Sequence, residues 1–118
     1  MPSSEPYFRF LDITTNIDRI NRHLDGYTFE TFCDDEKTID AVERCFQRIT
    51  EAAIKLRPLT EELTPGQDWA AIRGFGNVLR HEYDNVTEQA IWRYATENLS
   101  SLRDDCQRVL DHLAENLE

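Results

Sequence analysis

The chain has 118 residues, of which 40% are hydrophobic and 31% charged, with a formal net charge of −10 and only four glycines and four prolines. That length makes one domain, residues 1–118, and a composition rich in helix formers and short of chain breakers predicts an all-α fold. The acidic balance excludes a protein that coats nucleic acid non-specifically, because phosphate binding draws on clustered cations, but an acidic body can carry a local basic cleft.

Residues 1–6 are a polar, proline-containing lead-in. From Tyr7 the spacing predicts a helix with Phe10, Ile13, Ile17, Ile20 and Leu24 on one stripe. Asp12, Asp18, Arg19 and Arg22 fall on its wet side, and Gly26 stops it. Thr28 to Phe32 is a single turn anchored by Phe29 and Phe32. Asp34 or Asp35 caps a second long helix, with Ile39, Val42, Phe46, Ile49, Ala53 and Leu56 inward, ended by Pro58. Leu59 to Gln67 reads as a connector with a Pro-Gly turn.

Asp68 caps a third helix, Trp69 to Tyr83, whose stripe is Trp69, Ile72, Gly76, Leu79 and Tyr83. Gly74 and Gly76 inside it point to close approach of another helix or a ligand. Asp84-Asn85 is a turn. Thr87 caps a last helix whose stripe runs to the end on Ile91, Ala95, Asn98 or Leu99, Leu102, Cys106, Val109 and Leu113. The expected architecture is an up-and-down bundle of four main helices with a short extra turn. Its surplus apolar stripes favour a homodimer.

Cofactor chemistry finds no support. There is no phosphate-binding glycine loop, no dinucleotide fingerprint, and His81-Glu82 is not followed by the second His of a zinc helix. Cys33, Cys45 and Cys106 lack metal-ligand spacing and read as reduced thiols. No signal peptide or membrane-length apolar run is present, so a cytoplasmic location and no membrane partner are expected. His23 and His112 sit in no polar constellation. His81 does, with Arg80 beside it, Asn77 one turn back and Arg73 two turns back. An imidazole as general base for a ribose 2′-OH, with guanidiniums stabilising charge on the phosphoryl oxygens, can cleave RNA without a metal. Only Lys37 and Lys55 are lysines. The other basic residues are arginines, which suit bidentate phosphate contacts.

The stretch I-R-G-F-G-N-V-L-R-H-E-Y, with F-C-D-D-E-K-T-I-D-A-V-E-R before it and A-I-W-R-Y after it, resembles the signature region of a HEPN domain of the HepT-like type. That signature is an Arg followed four to six residues later by His-x-Tyr. The resemblance implies a four- to five-helix, homodimeric, metal-independent ribonuclease toxin acting on RNA such as tRNA or mRNA. It also implies a small nucleotidyltransferase antitoxin that adds AMP to the motif Tyr. His81 matches the catalytic His and Tyr83 the modified Tyr. The Arg departs from the pattern: Gly76 stands directly before Asn77, where the usual form has Arg, leaving Arg73 and Arg80 as candidates. The alternatives are a catalytically inactive HEPN-like subunit that binds a nucleotidyltransferase, and a purely structural helical dimer.

Overall fold

The computed structural model describes residues 5–81 and 87–116. Among them there is no strand, and the helices are α1 (Glu5–Leu24), α2 (Phe29–Cys33), α3 (Glu36–Lys55), α4 (Leu59–Leu63), α5 (Trp69–His81), α6 (Glu88–Glu97) and α7 (Leu99–Asn116). The starts follow from capping chemistry. Thr28 receives the Thr31 N–H, Asp35 the Thr38 N–H, Asp68 the Ala71 N–H and Thr87 the Ala90 N–H. Gly26 leaves α1 at φ +80°, in the region that disfavours a Cβ.

α3 is the central rod, packed between α1 and α5, while α7 lies along α1. The expected stripes of α1 and α3 are buried from Phe10 to Ile20 and from Val42 to Leu56. Burying side chains of this size stabilises a fold by about 1.5–3 kcal/mol each. Trp69 is fully buried, and its indole N–H donates to the Thr64 carbonyl and hydroxyl. Phe75 stacks on Tyr94, linking α5 to α6. Arg103 donates two hydrogen bonds to Asp18, at 2.7 and 3.1 Å, tying α7 to α1.

Two expectations need correction. The final helix is not continuous: it breaks at Asn98, which caps α6 with its N–H on the Tyr94 carbonyl, and α7 starts afresh at Leu99. The apolar stripe continues through the break, so periodicity alone could not reveal it. The connector after Pro58 is not all loop, because it contains α4. That short helix has a specific task, described next. Tyr83 and the Asp84-Asn85 turn lie outside the described residues.

Candidate active site at the end of α5

The four polar residues singled out on α5 do not share one environment. Arg73 points inward and is only 8% exposed. Its Nε donates to the Ala53 carbonyl at 3.1 Å. Nη1 reaches Glu61 Oε2 at 2.6 Å, and Nη2 reaches the Thr60 hydroxyl at 2.6 Å and Glu61 Oε1 at 3.0 Å. These bonds occupy four of the five guanidinium N–H donors. Arg73 is therefore a strut that pins α4 to α3 and α5. The sequence reading offered Arg73 as a candidate for phosphate; in the fold four of its donors face the protein. The bond to Arg73 holds the Glu61 carboxyl down to about 2, with the Thr60 hydroxyl assisting.

The glycines also part company. A Cβ on Gly76 would overlap the Cβ and Oγ1 of Thr50, well inside van der Waals contact. Here α5 closely approaches Thr50 of α3, and the position has no room for a side chain without a shift. A Cβ on Gly74 would meet nothing within 4 Å. The close approach expected of both glycines belongs to Gly76 alone.

Asn77, Arg80 and His81 are exposed. None of their side chains bonds to another described residue. Gly74, Asn77 and His81 recur at helical spacing and form one open face. Arg80, 100° round from His81, points instead into a groove of about 390 Å³ between α1, α3 and α5, lined also by Arg9, Arg44 and Arg48. Two carboxylates, Asp12 and Glu51, share that lining. Asn16, 5% exposed, also lines the groove; its Nδ2 donates to the Asp12 carbonyl, and its Oδ1 meets no donor among the described residues.

A second groove continues between α1 and α3, with Arg19, Arg22 and His23 facing Arg44 and Arg48. Sequence reading missed it and dismissed His23, since residues of two separate helices, 21 to 29 positions apart, meet only once α1 and α3 are paired. The α1 spacing Arg9, Asp12, Asn16, Arg19 and the α3 spacing Arg44, Arg48, Glu51 were the available signals. No group of three or more His, Cys, Asp or Glu suited to a metal ion occurs among the described residues. No described helix is long and apolar enough to cross a membrane.

A family profile described as Ribonuclease HepT-like matches residues 13–109. Among curated relatives, a protein of Thermococcus cleftensis named "Probable ribonuclease HepT" is 28% identical over 83% of this chain and 89% of its own length. One of Methanocaldococcus jannaschii named "Putative RNase MJ0125" is 24% identical over 98% of this chain and 99% of its own length. No solved structure matches the chain.

Proposed function

Because the chain belongs to the HepT-like ribonuclease family, we propose that it is a metal-independent endoribonuclease in which His81 and Arg80 carry the chemistry. The single observation behind this is the division of the arginines on α5. Arg73 is consumed inside the protein, whereas Arg80 lies beside the exposed His81 and lines an arginine-rich groove. In the reaction, His81 accepts the proton of a ribose 2′-OH as that oxygen attacks the adjacent phosphorus. Arg80 balances the charge gathering on the non-bridging oxygens. The bond to the 5′-oxygen breaks, that oxygen takes up a proton, and a 2′,3′-cyclic phosphate is left. Asn77, one turn before His81 on the open face, donates or accepts a positioning hydrogen bond.

Neighbouring residues on a helix diverge by 100°, so His81 and Arg80 of one chain aim at different places. Two chains meeting across the smooth Gly74–Asn77–His81 face would bring His81 of each toward the other's groove. This favours a homodimer with shared sites. The family also supplies the toxin role, the nucleotidyltransferase antitoxin and AMP transfer to Tyr83 as parts of the same proposal, for a protein working in the cytoplasm. Mass spectrometry after incubation with such a partner and ATP would find AMP on Tyr83 and not on Tyr27.

The test is cleavage of single-stranded and structured RNA in EDTA. Wild type should cut, and His81→Ala should lose roughly 10²-fold or more, the share of a general base. Arg80→Ala should lose a comparable factor through lost charge stabilisation. Full activity of His81→Ala would refute the assignment. The packing of Gly76 on Thr50 gives the second reading its footing. If wild type cuts no RNA, the chain is an inactive binding subunit of a nucleotidyltransferase complex, having given up the usual Arg for close helix packing.

A further inference from the structure

We propose that the two grooves between α1 and α3 form one continuous track for a single RNA strand, running from Arg80 past Arg44 and Arg48 to Arg19 and Arg22. The choice of RNA as occupant rests on the ribonuclease reading above; the track itself rests on geometry and charge.

Arg44 and Arg48 line both grooves, so the two are one surface. Six different arginines line it, from a chain that carries a net charge of −10. Among the described lining residues the carboxylates are Asp12 and Glu51, both at the Arg80 end, and the far groove shows none. Ion pairing divides the arginines in the same way. Away from the track, Arg73, Arg93, Arg103 and Arg108 are each paired with a carboxylate, and Arg57 makes no ion pair with a described residue. On the track, Arg9 pairs with Glu5, while Arg19, Arg22, Arg44, Arg48 and Arg80 make no ion pair with a described residue. A fold with surplus acid has thus left five of these six cations without a close ion pair to a described residue, Asp18 acting on Arg22 only at longer range.

The lining also separates RNA from an acidic protein. A protein interface would centre on apolar and aromatic anchors, but the apolar lining here is limited to Ala41, Cys45 and Ala52. Guanidiniums with no apolar anchor fit a run of phosphates. No Phe, Tyr or Trp is among the described residues that line either groove, and a lining of guanidiniums favours holding backbone over stacking bases. Arg9 to Arg22 along α1 covers about 20 Å, enough for several successive phosphates. The track thus feeds a strand to the Arg80 end, where cleavage is proposed, and the cut position follows from exposure of the RNA rather than from its sequence.

The experiment measures binding of a labelled single-stranded RNA to the full chain by fluorescence anisotropy, in EDTA and over a salt series, in the His81→Ala background so that the strand survives. Arg19→Ala/Arg22→Ala is compared with Arg93→Ala/Arg108→Ala, which makes the same change in net charge off the track. All four side chains are at or near the surface, and circular dichroism checks that the helices are retained. The track pair should weaken binding on the order of tenfold and flatten the slope of log K against log salt by about 1.4, since each phosphate contact on a single strand contributes about 0.7. The off-track pair should match the parent.

Equal affinity and slope for the track pair and the parent would overturn the track, even if wild type cleaves RNA. Loss of binding to a polyglutamate peptide in the track pair, with RNA binding intact, would also overturn it and assign the face to an acidic protein. If wild type cuts nothing but the predicted binding pattern holds, the track stands and the catalytic reading falls.

Discussion

Arg73 and Arg80 lie seven residues apart on one helix and look equivalent on a helical wheel, yet they do different work. Arg73 fills its donors with Ala53, Thr60 and Glu61. Replacing it with Ala removes the donor to the Ala53 carbonyl and the tie between α4 and α5, so Arg73→Ala should destabilise the fold by about 2–3 kcal/mol in urea unfolding. Arg80→Ala should stay within about 0.5 kcal/mol, as an exposed residue with no hydrogen bond or ion pair to another described residue. Glu61 has its own signature. Its carboxyl is depressed from 4.5 to about 2 by the bond from Arg73, so its contribution is fully present above pH 4.5. That contribution is lost as pH falls toward 2, where the folded form also takes up the proton. Stability measured between pH 5 and 2 should therefore fall less steeply in Glu61→Gln than in wild type. Solvent reaches half of this carboxylate and screens the pair. The sequence placed Arg73 on the right helix but could not say which way it turned, because its partners lie on α4, a helix hidden in what read as a connector.

At the scale of elements, α3 and α5 are joined by a contact that only glycine permits. Gly76→Ala should cost about 1–3 kcal/mol by overpacking against Thr50. Part of that should return in the double variant Gly76→Ala/Thr50→Gly, which removes the opposing Cβ. Gly74→Ala faces open space and should instead stabilise, by up to about 1 kcal/mol, through helix propensity. Thermal unfolding of the four proteins separates these signs, and equal effects at positions 74 and 76 would contradict the packing. The two glycines were indistinguishable in sequence because propensity is local and the neighbour that separates them is 26 positions away. The apolar stripes of α1, α3 and α5 were legible because burial repeats with the helix. Likewise the caps at Asp35, Asp68 and Thr87 could be read because a cap and its target are three residues apart.

For the whole molecule, the expected assembly is a dimer of twice the 13.9 kDa chain, joined through the open face of α5. Light scattering at micromolar concentration should give that mass. Sharing of the site has a sharper test. His81→Ala and Arg80→Ala homodimers should each be inactive, and mixing them under exchange should restore cleavage through one intact composite site. No recovery, with exchange confirmed, would place each site within a single chain. The basic track was beyond sequence reading, since net charge sums over the surface and conceals its distribution. The all-α architecture was not, because few breakers and sustained periodicity leave little else.

The buried indole of Trp69 has a spectroscopic consequence. The protein has two tryptophans. Trp69 is sealed in the core and doubly hydrogen-bonded to Thr64, while Trp92 is half-buried against Phe29 and Phe32. A neutral quencher such as acrylamide reaches Trp92 first, so the protected fraction of the emission belongs to Trp69. Since Trp69 opens α5, that fraction is an intrinsic, label-free gauge of whether the helix bearing Arg80 and His81 is seated.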